Sequence, residues 1–252
     1  WDYGAGNEPV LVDMELTNKP TKALMQANKN GYFYIFDRTN GRLLSAKPFI
    51  DKMNWTKGLD PSGRPTPGVV ATNEGAVICP GVFGAKNWNH MAYSPSTGLV
   101  YIPALDLCVE AKVVRQRPIR GTLYRGGEGS FAGQVARGLL EALDPRTGAI
   151  RWRYPSNVPL LASVLTTGGG LVFTGDVDGN ALAFDASNGK LLWKFNTGSA
   201  VRGSPVSYAV GGEQYIAVPS GWGGIPSRVM PPAVPEDLPL GSALFVFGLF
   251  ME

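Results

Sequence analysis

Apolar and polar positions alternate with a period of two through much of the chain, in short runs separated by polar turns that contain glycine. Ile150, Trp152 and Tyr154 fall on one face of such a run and Arg151 and Arg153 on the other; Leu191, Trp193 and Phe195 repeat the arrangement. Each run predicts a strand with one covered face. Upstream, the stretch SVLTTGGGLVFTGDVDGNALAF predicts two further short strands around Gly168 to Gly170, with a turn at Asp176 to Gly179.

The runs share one turn. LDPRTGAIRWRY (Leu143 to Tyr154) and FDASNGKLLWKF (Phe184 to Phe195) place Asp, Gly and Trp at the same offsets, 41 residues apart. FDRTNGRLLSAK is a looser copy that keeps Asp37 and Gly41 but has Ser45 for Trp, and YSPSTGLVYIPA is looser still, with Ser94 and Gly98. The Asp, with Ser, Thr or Asn after it, can accept backbone N–H groups and start the turn, and the Gly tolerates the positive φ that reverses the chain. Four short strands in a unit of this size predict a blade of a β-propeller. A β-sandwich has no need of a recurring turn with an aromatic at a fixed offset. The spacings of 57 residues from Asp37 to Ser94 and 50 from Ser94 to Asp144 imply inserted loops, so the chain holds about four to five blades. After Trp193, GSPVSYAV, QYIAVPS and SALFVFGL supply three strands rather than four. The fourth strand of that blade is expected from sequence preceding Trp1, because an open propeller exposes an apolar face and a strand edge.

Composition agrees with an all-β reading, since 33 Gly and 20 Pro are too many for a helical protein. The net charge of +3 is small and the basic residues are scattered among acids, which argues against nucleic acid as a partner. No apolar run approaches the roughly 20 residues that cross a bilayer, so no membrane span is expected. The start at Trp1, without Met and inside a motif, implies processing, cleavage or a fragment. Cys79 and Cys108 are the two cysteines and His90 the one histidine, a poor basis for a zinc site. The cysteines are read either as a disulfide, which would require an oxidising compartment, or as two buried free thiols.

WDYGAGN, NKNGYFYIFDRTNGRLLSAKPF, ICPGVFGAKNWNHMAYSPSTGLVYIP, TTGGGLVFTGDVDGNALAFDASNGKLLWKF and YIAVPSGWGG, in that order, resemble the C-terminal half of the pyrroloquinoline quinone (PQQ) dependent alcohol dehydrogenases, the quinoprotein family of methanol and ethanol dehydrogenases. The resemblance implies that residues 1–252 are the C-terminal part of one eight-bladed propeller domain with PQQ and a metal ion on its axis. It implies an oxidoreductase that converts an alcohol to a carbonyl by hydride transfer to PQQ, with the metal ion as a Lewis acid.

Asp2, in WDY, matches the family's catalytic base and is also the metal-ligand candidate. A carboxylate suits the task, because hydride leaves an alcohol carbon more readily as the hydroxyl proton is taken. Lys29, in NKNG, matches the basic residue that bonds the quinone oxygens. Asn87 and Trp88, in GAKNWNH, match the family's cofactor-contacting Asn and its neighbour, although a Trp after Asn is more often buried core. Gly4 stands where lanthanide-dependent members have a second Asp, which favours Ca2+. Cys79 and Cys108 match a family pair that is disulfide-bonded, which implies a periplasmic protein. Two departures are expected to matter: Leu161 or a neighbour stands where methanol dehydrogenases have a Trp, and Trp222 comes earlier than its family counterpart.

The family's vicinal cysteine pair, the Trp beneath the quinone and the Glu and Asn metal ligands are absent from these residues. The expected partners are therefore a missing N-terminal half, a small alcohol substrate and, since no CxxCH haem motif is present, a separate cytochrome c or similar electron acceptor. The chain alone is expected to be inactive. Arg115 to Gly138, rich in Gly and Arg, is an insertion expected to contribute to the substrate pocket, and His90 is expected to be a hydrogen-bonded structural residue. The competing reading is a non-catalytic propeller that binds proteins or scaffolds an assembly.

Overall fold

The computed structural model describes residues 1, 3, 4, 6–122, 124, 126–131, 135–222 and 241–248. Within them the strands form consecutive antiparallel sheets. Blade I comprises Val10–Leu16, Lys19–Ala27, Tyr32–Asp37 and Leu43–Pro48; blade II comprises Ala92–Ser94, Leu99–Asp106, Arg137–Leu143 and Ile150–Ser156. Blade III comprises Leu165–Thr166, Leu171–Gly175, Asn180–Asp185 and Leu191–Asn196, and blade IV the three strands Val206–Val210, Glu213–Gly221 and Ser242–Gly248. The insertions expected from the spacing form two small sheets. Thr56–Leu59 pairs with Pro65–Pro67, and Val109–Val113 lies between Ala76–Ile78 and Gly127–Ser130.

The recurring turn is built as its residues require. Asp37 Oδ1 accepts the Thr39 N–H at 2.9 Å, Asp144 Oδ1 the Arg146 N–H at 3.0 Å, and Asp185 Oδ1 the Ser187 N–H at 2.8 Å. In each, the glycine N–H closes on the carbonyl four residues back, and the glycines have φ of 74° to 76°. The looser copy behaves alike, with Gly98 N–H on Ser94 O at 2.8 Å and φ of 68°. A register shift immediately before the Asp, at Ile35/Phe36, Ala142/Leu143 and Ala183/Phe184, gives blades I to III the same bulge.

Apolar faces of successive blades fill the space between them. Met25, Phe33 and Ile35 of blade I meet Val100, Ile102 and Leu143 of blade II; Tyr101 and Leu140 of blade II meet Val172, Leu182 and Phe184 of blade III. Each such side chain stabilises the fold by about 1.5–3 kcal/mol on burial. The motif Trp152 is the link from blade II to blade III: its Nε1 donates to Ala186 O at 3.0 Å and its ring lies over Gly189. Where blade I has Ser45 for Trp, the aliphatic stem of Lys47 covers Gly148 of blade II instead.

Gly189 has φ of +74°, and a Cβ there would lie 2.5 Å from Trp152 Cε3. Gly189→Ala therefore combines a left-handed backbone penalty with displacement of the indole, and we expect a loss of about 2–4 kcal/mol in urea unfolding. A loss below about 0.5 kcal/mol would contradict this blade contact.

Glu141 lies on the third strand of blade II and is wholly buried. Arg153 Nη2 approaches its Oε1 to 2.7 Å but off the hydrogen-bonding direction, so neither oxygen has an aligned donor, while Arg153 also binds Asp51 at 2.6 Å. Desolvation pushes the Glu141 pKa up to about 7, against the opposing pull of Arg153. The folded state thus holds a proton that the unfolded chain releases, and the stability this gives is lost as pH rises from the ordinary carboxylate range through about 7. We expect Glu141→Gln to raise stability at pH 8 by about 1–3 kcal/mol, with Asp51 still pairing Arg153, and to change little at pH 4. Denaturant unfolding at the two pH values checks this.

Among the described residues blade IV is covered on one side only. Ile216, Val218 and Phe247 pack on blade III, with Trp193 edge-on to Phe247 at 4.8 Å. The opposite face exposes Val206, Tyr208, Val210, Leu244 and Val246, an apolar surface of the kind that another blade would cover. Phe195, expected on a covered face, is 39% exposed beside Phe245 and Phe247 at this margin.

Candidate functional site

Asp2 lies outside the described residues; its neighbours are firmly held. Trp1 Nε1 donates to Val69 O at 3.1 Å and its ring meets Trp55 edge-on at 5.5 Å. Tyr3 donates to Pro80 O at 2.5 Å and packs on the same indole, and burial pushes its phenol pKa well up. Asn7 donates to Ala27 O at 2.9 Å and receives Gln26 Nε2 at 2.7 Å. The segment is thus bound to blade I on one side and to the loop after Cys79 on the other.

Lys29 occupies the turn between the second and third strands of blade I, closed by Gly31 N–H on Asn28 O at 3.1 Å. The loop 81–85 runs directly against it: Ala85 N–H donates to Lys29 O at 2.8 Å, and a Cβ on Gly84 would lie 2.8 Å from Lys29 Cα. That loop is anchored by the Cys79–Cys108 disulfide and by Gly81 N–H on Leu107 O at 2.7 Å. It leads straight into Asn87. Lys29 and the loop that leads to the Asn87–Trp88 pair, far apart in sequence, therefore meet at Gly84 and Ala85.

Asn87 Nδ2 donates to Phe83 O at 3.0 Å and its Oδ1 accepts the Trp88 N–H at 2.9 Å. One N–H and one lone pair of the amide are left for a ligand. Contrary to the usual fate of a Trp after Asn, Trp88 is 45% exposed. A cleft beside it is lined by Phe83, Asn87, Asn89, Leu105, Leu160 and Leu161. Phe131, from the inserted segment, stacks on Phe83 at 5.9 Å, which gives the insertion a place at this cleft. Leu161 packs on the buried Trp222. His90 is exposed and only its main chain is fixed, its N–H to Ser163 Oγ at 2.9 Å, which corrects the expectation of a hydrogen-bonded structural side chain.

One element escaped the sequence reading. Lys86, with its side chain wholly buried, places Nζ 2.7 Å from Glu8 Oε2, while Glu8 Oε1 receives the Met91 N–H at 2.6 Å. Desolvation lowers the Lys86 pKa and Glu8 opposes the shift. This pair fastens the segment that carries Asp2 to the loop that carries Asn87. Among the described residues no group of three His, Cys, Asp or Glu side chains is placed to hold a metal ion.

Four successive antiparallel sheets, the first three sharing one Asp-to-Gly turn, with polar and aromatic side chains gathered where their connections meet, define a β-propeller of the quinoprotein kind. The family model described as "Glucose/ethanol/alcohol dehydrogenase, beta-propeller domain" matches residues 1–48, and that described as "Outer membrane protein assembly factor BamB" matches residues 121–222. The chain is 39% identical over 239 residues to the quinoprotein alcohol dehydrogenase PedH of Pseudomonas putida, covering 89% of this chain and 40% of that protein. It is 40% identical over 247 residues to a quinoprotein ethanol dehydrogenase of Pseudomonas putida, covering 89% of this chain and 38% of the relative. Its fold superposes on the quinohemoprotein alcohol dehydrogenase of Comamonas testosteroni with a TM-score of 0.88 at 31% identity, over 98% of this chain and 38% of that one. For a europium-containing methanol dehydrogenase the values are 0.87 and 31%, over 99% and 48%. The chain matches quinoprotein alcohol dehydrogenases over 89% of its own length, and spans about two fifths of the length of the curated relatives it matches.

Proposed function

We propose that this chain forms part of a periplasmic PQQ-dependent alcohol dehydrogenase that oxidises a small alcohol to a carbonyl compound. The observation that carries the proposal is the junction of Lys29 with the Asn87–Trp88 loop through Gly84 and Ala85, beside the anchored segment around Asp2. Asp2 takes the hydroxyl proton as hydride departs from the alcohol carbon. The Lys29 ammonium puts positive charge where negative charge develops on the acceptor, and the spare N–H and lone pair of Asn87 orient it. Lys29, Asn87 and Trp88 would hold PQQ and Asp2 would bind the metal. Bound PQQ supplies the hydride acceptor and the metal ion a Lewis acid, calcium rather than a trivalent ion because Gly4 adds no carboxylate.

The Cys79–Cys108 disulfide supports an oxidising compartment. The uncovered face of blade IV fits further blades of the same propeller, supplied by the remainder of the domain. Electrons then pass to a separate cytochrome c or similar acceptor.

The match of residues 121–222 to a model named for an assembly factor favours a second reading, a non-catalytic propeller that binds proteins. The two readings separate in one assay. The chain together with the complementing blades is titrated with PQQ and calcium, and dye-linked oxidation of a primary alcohol is followed. Turnover that requires both additions supports the dehydrogenase; absence of quinone binding leaves the binding propeller.

A further inference from the structure

Arg202 lies in the connection from blade III to blade IV, between two indoles. Its guanidinium carbon is 5.8 Å from the centroid of the exposed Trp88 ring and 5.3 Å from that of the buried Trp222 ring. Nη1 donates to Trp222 O, which fixes the orientation of the fork. Among the described residues Nε, also buried, has no acceptor, and Trp222 Nε1 has none either, although Trp222 is only 4% exposed. Among the described residues no carboxylate neutralises the guanidinium, and desolvation lowers its pKa. A buried donor left without an acceptor is destabilising, more so when the group is charged. Two such donors in adjoining side chains, one of them cationic, beside a cleft lined by Asn87 and Trp88, are unsatisfied in a way that an anionic oxygen ligand would repair.

We infer that Arg202 Nε and Trp222 Nε1 receive a carboxylate of the bound quinone cofactor. The inference rests on the quinoprotein reading of this site. PQQ carries three carboxylates besides its quinone oxygens, and a guanidinium is suited to carboxylate recognition. The two indole faces hold the fork in place before the ligand arrives, so little conformational entropy is lost on binding. The role is cofactor binding, distinct from that given to Lys29 at the quinone oxygens.

The test uses the complete protein with excess calcium, titrated with PQQ and with its trimethyl ester, and thermal unfolding without quinone. Trp222→Phe removes the N–H together with the five-membered ring that bears it; Arg202→Lys keeps the charge and removes the guanidinium fork with its Nε. Each variant is expected to weaken PQQ about tenfold or more and to bind the ester as wild type does, even though the cavity left by Trp222→Phe lowers the ligand-free thermal midpoint. Wild-type PQQ affinity in both variants would overturn the inference while leaving the quinone reading intact. So would equal weakening of PQQ and ester, the mark of a packing role. Failure of the wild type to bind PQQ would overturn the quinone reading itself, and the carboxylate site with it.

Discussion

Replacing Asp2 by Asn in the complete protein should lower kcat by about 10²–10⁴-fold while PQQ affinity changes far less. The size is that expected if Asp2 is the proposed general base, which takes the hydroxyl proton as hydride is released. The change should be confined to chemistry, because the segment is held by its neighbours: Trp1 on Val69 and Trp55, Tyr3 on Pro80 and Trp55, and Glu8 on Lys86 and Met91. Steady-state kinetics with a dye acceptor and a parallel PQQ titration read the two quantities. A variant that keeps near wild-type kcat would remove Asp2 from the reaction.

The second large effect concerns stability. Cys79 and Cys108 close a loop with a sequence separation of 29, and opening it by Cys79→Ser with Cys108→Ser should cost roughly 3.6 kcal/mol in the chain-entropy account. The loss should reach the site as well. Cys79 N–H donates to Asn54 Oδ1 at 2.8 Å, and the following residues carry Pro80 to Tyr3, Gly84 to Lys29 and then Asn87. Urea unfolding gives the first effect, and weaker PQQ binding in the double variant, or in reduced wild-type protein, the second. Reduction that leaves both unchanged would show the cross-link to be idle.

The blades were readable because their determinants are local. Asp185, Ser187, Gly189 and Trp193 lie within a few residues of one another, and each has a single conformational job in the turn or on the following face. The cysteine pairing could not be decided from spacing alone, and neither could the approach to Lys29 of the loop that leads to Asn87. Both depend on a fold that brings distant turns together. The Glu8–Lys86 pair left no signal, since its members are 78 residues apart and a lone Lys in a loop reads as solvated. Glu141 was invisible for a related reason: it sits on an inner strand covered on both faces, where alternation of apolar and polar residues says nothing about exposure. Trp88 and Arg202 went the other way, an aromatic expected in the core standing at the surface and an unremarked arginine filling the space between it and Trp222.

The most direct test of the account is a crystal structure of the complete protein loaded with PQQ and calcium. The account predicts the quinone against Lys29 and Asn87, with Asp2 turned toward the metal ion and the alcohol site. Electron density for PQQ away from these residues, or Asp2 facing bulk solvent beside an empty propeller axis, would contradict it.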